Sequence, residues 1–568
     1  MSDVRRLGRP ALSPAAETAR PRARAGPVIV GGTALALGLR LFLVTRPGFL
    51  TSGTVEYDDG VYLGTAMRLL HGALPYRDYA FVQPPGIAVV AVPAALVGSL
   101  TSQAAGLAVA RVATALASTA CVALAGRLVR HRGALVAGVT CGVLAVYPAD
   151  VLAGRTLLLE PWMNLCVLLA AGAAFRDGRL ASPRRLAWAG AALGCGAAIK
   201  YWAAIPALVL LAVCLLERPG AAAAGAERWS PDLARRRAAA LLAGTAGGFG
   251  VLAGPFIVAA PVTFVRETLG EQLSRVGVPT PFALRLAHLT GLIDVLGRNG
   301  RIAASGNATH SLFALGAYAS TRIVAVGWPA FAAAAMAVTL LAAGYLRAPR
   351  QRSPLEWFAL ATGVLATVAI LSYSAFFYHY PDFPAPWLAI AVGAAAGALS
   401  AADGPAGVAA EAAADRVRRG LAALAAVAIL AVAGLETYEL APASVPGSPP
   451  AAALIPAGSC LVADQISFAI AAGEFAAPRP GCPDVVDSLA VTLSLSGGAS
   501  PQGGAGNQPK VIAGWESIFG KAQYVWLSGG ARQRIPWNHA LRTWFGDHFR
   551  ELAALRGYGD SKIYVRDR

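Results

Sequence analysis

Tyr57-Asp58-Asp59-Gly60 stands just beyond the first long apolar segment, Pro27 to Thr45. It opens a polar, aromatic run that reaches Gln83-Pro84-Pro85-Gly86. That run also holds Glu56, Tyr62, Arg68, His71, Arg77, Asp78 and Tyr79. The chain is 56% hydrophobic and only 14% charged. Adjacent carboxylates at the mouth of an apolar helix are therefore costly to desolvate and call for a purpose. Plain solvated loop charges are the alternative; the sharper reading is an active site on the far side of a membrane.

Working outward, composition overrides the several soluble domains that 568 residues would otherwise suggest. A mean hydropathy of +0.55, long Ala/Leu/Val runs and 62 glycines indicate a bundle of membrane helices. The net charge of +17 raises the question of nucleic acid. Its distribution answers no, because arginines bunch between apolar runs at Arg5–Arg24, Arg127–Arg132, Arg176–Arg185, Arg218–Arg237, Arg347–Arg352 and Arg416–Arg419. That positive-inside pattern marks these stretches as cytoplasmic.

Orientation then orders the spans. Segment 27–46 exits, which puts the Asp58-Asp59 loop outside. Segments 103–129, 133–149 and 161–175 follow. The stretch 186–216 is too long for one span and divides at Lys200-Tyr201-Trp202, with Lys200 at an outer turn. Segments 237–260, 323–346, 355–374, 385–401 and 420–438 complete a set of about 11 spans, N-terminus in and C-terminus out. Segment 86–100 would spoil that parity and is expected to be an interfacial or re-entrant helix. The expected layout is a disordered basic cytoplasmic tail at 1–26, a polytopic α-helical membrane region at 27–438 and a small extracytoplasmic α/β domain at 439–568. The N-terminal stretch does not read as a signal peptide. Gly244, Gly248, Gly250 and Gly254 should allow close helix approach.

Beyond the Pro442–Pro450 linker, Cys460–Asp464, Asp484–Asp487, Gln523–Leu527 and Lys562–Arg566 read as strands. Five of the seven cysteines fall in spans and suit core packing. Cys460 and Cys482 lie outside them, where an oxidising exterior favours a disulfide.

The sequence contains no P-loop, His-Glu-x-x-His or Cys-x-x-Cys motif, and its histidines are scattered, so no metal site is assigned. What the topology gathers on the outer face is Asp58, Asp59, Arg155, Glu160 and Lys200. Arg266, Glu267, Glu271, Gln272 and Arg275 join them, as do Tyr373, Tyr378, His379, Tyr380 and Asp382. Carboxylates can deprotonate a hydroxyl, lysine and arginine can hold a phosphate, and aromatics can line a sugar or isoprenoid path.

The run Tyr57-Asp58-Asp59-Gly60-Val61-Tyr62, then Leu70-His71-Gly72 to Pro75-Tyr76-Arg77-Asp78, then Gln83-Pro84-Pro85-Gly86, resembles the first outer loop of GT-C glycosyltransferases. The likeness is to the branch with protein O-mannosyltransferases and the lipid A aminoarabinose transferase. Gly154-Arg155 to Glu160-Pro161, Ala198-Ile199-Lys200-Tyr201, Phe264 to Arg275 and Phe376 to Pro381 extend the resemblance in order. It implies transfer of a sugar from a polyprenyl-phosphate donor to a cell-envelope acceptor, with inversion and Asp58 as base. No obligatory cofactor is implied, although the carboxylates could take a divalent cation. Asp59 stands where the family usually has Glu, and Gln83 where it has His or Lys, which leaves only a neutral hydrogen bond from that position. Arg155, Lys200 and Arg275 become the phosphate candidates, with Glu160, Tyr378 and His379 lining the substrate.

Each candidate has a structural alternative. Asp58 and Asp59 can cap a helix, Arg155 and Glu160 can pair, Lys200 can snorkel, Arg275 can sit on an amphipathic surface, and His379 can belong to an interfacial belt. A transporter or flippase of lipid-linked saccharides is the alternative function, although it should bury polar groups at mid-membrane. A non-catalytic glycan-binding scaffold is a third. The Ala/Arg/Gly/Pro bias suggests a bacterial plasma membrane, in which Asn307-Ala308-Thr309 is not expected to be glycosylated.

Overall fold

The computed structural model describes residues 14–217, 230–274, 280, 282–291, 332–347, 352–373, 375–400, 408–439, 445–446, 453–475 and 479–567. Arg275 and Asn307–Thr309 lie outside the described residues. A helix covers the described part of every segment read as a span. Among the described residues, five helices are long and apolar enough to cross a membrane: Ala25–Val44, Gln103–Arg132, Pro231–Ala259, Pro354–Ser372 and Asp415–Tyr438. Shorter apolar helices fill between them, among them Ala134–Ala145, Leu159–Ala174 and Ala385–Leu399. Gly86–Leu100 is one of these, a 15-residue helix with Pro93 inside it. The first helix starts at Pro14. It thus extends back into the stretch expected to be a disordered tail, whose Ala, Glu and Arg residues favour helix.

The apolar stretch 186–216 does break at Lys200. Helix Pro183–Ile199 ends there, Tyr201–Ala203 forms one 3-10 turn, and Ala204–Leu216 continues. Helix Pro231–Ala259 packs against Pro183–Ile199 at backbone distance. A Cβ on Gly244 would lie 2.0 Å from the Ala187 carbonyl oxygen, and one on Gly248 2.0 Å from that of Ala191. Gly250 and Gly254 meet nothing within 4 Å, so only half of the small-residue pattern serves this contact.

The C-terminal residues build a four-stranded sheet in the order Leu461–Ala463, Tyr524–Leu527, Ser561–Arg566, Phe549–Leu555. The first pair is parallel and the others antiparallel. Asp484–Asp487 is not a strand, because the Asp487 carboxylate accepts from Ala490 N at 2.9 Å and caps helix Ser488–Ser496. Phe549–Leu555 is a strand that the sequence reading missed. Strand alternation divides the sheet between two cores. Val462 and Val525 pack with Val511, Trp515 and Phe519, while Ala463, Trp526 and Ile563 join the core shared with the membrane helices.

That shared face rests on helix Tyr57–Leu70. A Cβ on Gly60 would lie 2.1 Å from Ser467 N, and one on Gly53 2.4 Å from Ser467 O, so only glycine admits the approach. Cys460 and Cys482 form a disulfide that closes the loop carrying Ser467.

Candidate active site

Helix Tyr57–Leu70 begins at Glu56, whose Oε1 accepts from Tyr57 N at 2.9 Å; Tyr378 OH donates to Oε2 at 2.6 Å. Asp58 and Asp59 occupy the first turn, where the helix dipole favours negative charge. One residue of helical rotation separates their fates.

Asp59 turns inward and is fully buried. Its Oδ2 accepts from Arg111 Nε at 2.9 Å and Nη2 at 2.6 Å, and its Oδ1 accepts from Leu157 N at 2.5 Å. Arg111 also donates to the carbonyls of Ser52 at 2.9 Å and Leu50 at 3.1 Å, and to that of Phe49. The pair pins the loop before helix Tyr57–Leu70, and the start of that helix, to helix Gln103–Val129. Asp59 therefore has a holding role, which its expected place beside Asp58 in the chemistry did not anticipate.

Asp58 is half-buried and accepts from Tyr62 OH at 3.3 Å. Burial, then the nearby Glu56 carboxylate, pushes the Asp58 carboxyl up to about 7, and His379 partly offsets the rise. Asp487 and Glu160 add smaller upward contributions. A carboxyl near neutrality is suited to proton transfer at neutral pH.

Facing it is a charge cluster around the fully buried Glu160. Lys200 Nζ donates to Glu160 Oε1, and His379 Nδ1 lies 3.1 Å from Oε2. The ammonium also sits 3.8 Å from the Trp202 ring centroid and 4.4 Å from that of Tyr380. The helix break at Lys200 is what turns this lysine inward. Its charge is thus partnered, so a phosphate would meet Lys200, Glu160 and His379 as a group.

Arg155 is buried, with its guanidinium 5.4 Å from the Phe49 ring and Glu56 and Tyr378 within electrostatic reach. Gln83 is half-buried; its carbonyl accepts from Tyr76 OH, and two residues earlier Phe81 N donates to Glu267 Oε2 at 3.0 Å. The structure therefore brings together Asp58, Glu160, Lys200, Tyr378 and His379. The Cys460–Cys482 pair lies apart, beside a cavity lined by Arg68, Glu474 and Asp484 at the far end of helix Tyr57–Leu70.

Several buried polar contacts were not foreseen from the sequence. Arg40 ion-pairs with Asp150 at 2.9 Å, Ser118 donates to Asp150 at 2.6 Å, and Asn164 donates to the Asp382 carbonyl at 2.9 Å. Arg40 and Arg111 were visible as lone charges in apolar helices, which is the signal that could have found them. Asp487 had none: Tyr57 OH donates to it at 2.8 Å across 430 residues of chain. Arg534, ion-paired to Asp464 at 2.7 Å, lies 4.0 Å over the Tyr57 ring. Among the described residues no group of three or more His, Cys, Asp or Glu is placed to hold a metal.

In structure the chain is similar to ArnT from Cupriavidus metallidurans in the apo state: TM-score 0.53, 15% identity, covering 94% of this chain and 97% of that one. The two chains share a fold. The same enzyme bound to undecaprenyl phosphate gives a TM-score of 0.48 at 14% identity, covering 95% of this chain and 98% of that one. The Archaeoglobus fulgidus oligosaccharyltransferase, tethered with an acceptor peptide, gives 0.48 at 13% identity, covering 95% and 74%. No protein-family model matches the sequence, and no curated protein matches it. The shared fold and the helices long and apolar enough to cross a membrane support a polytopic helical membrane fold.

Proposed function

We propose that the chain is a glycosyltransferase that moves a sugar from a polyprenyl-phosphate donor to a cell-envelope acceptor at the outer face of the plasma membrane. The observation that carries this reading is Asp58: a half-buried carboxyl raised to about 7, next to a helix start and opposite the Glu160–Lys200–His379 cluster. Ionised Asp58 takes the proton of an acceptor hydroxyl. The hydroxyl oxygen then bonds to the anomeric carbon while the bond from that carbon to the phosphate oxygen breaks, with inversion. The polyprenyl phosphate leaves carrying the bond's electron pair.

Lys200 supplies positive charge and His379 a ring nitrogen toward the leaving phosphate, with Glu160 fixing their positions; Arg155 and Arg275 are further candidates. Gln83 and Tyr378 line the substrate, and Cys460–Cys482 braces the C-terminal region outside the membrane. The scheme needs no nucleotide and no obligatory cofactor, and it leaves room for a divalent cation. The GT-C likeness to ArnT supports the class of fold in which such chemistry occurs.

The test uses purified full-length protein in detergent, radiolabelled polyprenyl-phosphate sugars and a cell-envelope extract. Wild type should transfer label and Asp58→Asn should lose at least about a hundredfold, the usual worth of a positioned base. Undiminished transfer by the variant removes Asp58 from the mechanism. Movement of lipid across liposomes without transfer would favour the flippase instead.

A further inference from the structure

After helix Pro231–Ala259 the chain turns through Pro261–Val265, a π-helical turn Arg266–Gly270 and Glu271–Ser274. A π-turn inserts a residue and is often found at functional sites. This segment has two opposed faces. Val262, Val265, Leu269 and Leu273 are exposed along one side at helical spacing, directly where a membrane span ends. Glu267 and Glu271 share the other side and are both buried.

The two glutamates differ in their partners. Glu267 accepts from Phe81 N at 3.0 Å and from Ser494 Oγ at 3.2 Å. Glu271 is 1% exposed, yet neither carboxyl oxygen has a hydrogen-bond partner among the described residues. Its nearest cation, Arg266 Nε, is 3.8 Å away, beyond hydrogen-bond range, and that arginine is half exposed and also reaches Glu267 and Ser494. A buried carboxyl with no hydrogen bond to either oxygen, and only a long ion pair to Arg266, is costly unless something else meets it.

The surroundings indicate what meets it. Gln272 donates to the Val82 carbonyl at 2.8 Å, so the segment is tied to the loop that continues into Gln83. On its other flank the C-terminal region closes in: a Cβ on Gly498 would lie 3.7 Å from Glu271 Cα. Asp487, which receives the Tyr57 hydroxyl beside Asp58, also acts on Glu271 through space. Glu271 thus stands between a lipid-facing stripe and the neighbourhood of Asp58.

We propose that Glu271 binds ring hydroxyls of a lipid-linked sugar, whose polyprenyl chain lies along Val262, Val265, Leu269 and Leu273. A carboxyl can accept two hydrogen bonds, or accept one and donate one, which matches neighbouring hydroxyls on a sugar ring. The stripe favours a lipid-borne sugar over a free glycan. This rests on the donor reading above and adds to it the residue that distinguishes a sugar-bearing lipid from a bare lipid phosphate.

The test measures binding to the full chain by native mass spectrometry. The probes are undecaprenyl phosphate and undecaprenyl phosphate carrying mannose, glucose or arabinose. Wild type should bind at least one sugar-bearing lipid about tenfold or more tightly than the bare one, the worth of a hydrogen bond to a carboxyl. Glu271→Met should abolish that preference and leave the bare lipid within about twofold, whereas Glu271→Gln, which keeps both hydrogen-bond functions, should retain it. The surface variant Leu269→Ser/Leu273→Ser should weaken all four lipids severalfold. The inference is overturned if Glu271→Met weakens every lipid alike, if it keeps the preference, if wild type has none, or if the surface variant binds unchanged. Wild type binding none of the four overturns the donor reading itself, a result distinct from these.

Discussion

Asp59 Oδ2 lies 2.6 Å from Arg111 Nη2, and both side chains are shut off from solvent. Asp58, its immediate neighbour, is open enough to meet a substrate and receives one hydroxyl at 3.3 Å. One carboxylate secures the loop while the other stays available. Removing Asp59 strands a buried guanidinium, so Asp59→Ala should cost about 3–5 kcal/mol, read as a large fall in the thermal midpoint in detergent. A fall of under a degree would mean that the pair holds nothing.

Asp58→Asn should behave in the opposite way. The folded carboxyl is raised from its ordinary 3.8 to about 7, so the folded state binds its proton more tightly than the unfolded chain. That contribution is complete below about pH 3.8 and is lost as pH rises to about 7. Above pH 7 the variant should therefore be more stable than wild type by about 1–2 kcal/mol, reduced from the full shift because Asp58 is partly open to solvent. At pH 4 the two should unfold together. Thermal scans across pH read the difference.

Activity should rise with pH through an acid limb near 7, and two variants should move that limb in opposite directions. His379 holds the Asp58 carboxyl down and Asp487 holds it up. His379→Gln should shift the limb of kcat/KM to higher pH and Asp487→Asn to lower pH. Purely structural damage would lower the rate without moving either limb.

Gly60→Ala tests the contact between helix Tyr57–Leu70 and the C-terminal region. Its Cβ would fall 2.1 Å from Ser467 N, backbone that cannot swing aside. A loss of about 1–3 kcal/mol is expected, seen as a lower thermal midpoint, with activity reduced because Asp58 sits two residues away.

Much of the helical frame was readable because apolar runs are local signals. The break at Lys200 was readable too, since 31 apolar-rich residues between 186 and 216 exceed one bilayer crossing. Asp58 stood out as a charge beside a span. The division of labour between Asp58 and Asp59 was not legible, because it depends on Arg111, 52 residues away. Asp487 was misread inside a strand: Val485-Val486 look extended, and the cap that Asp487 makes is visible only once Ser488–Ser496 is a helix. Glu271 was legible as one of the polar residues gathered after the seventh span, but its burial without a hydrogen bond depends on packing that the sequence does not show.

The sheet gives Val525 to one core and its neighbour Trp526 to the other. Expressed alone, residues 453–568 would present Phe468, Trp526 and Ile563 to water, an apolar surface of the kind that drives aggregation. One face of the sheet is thus finished only by the helices it packs against, and the two regions complete a single core together.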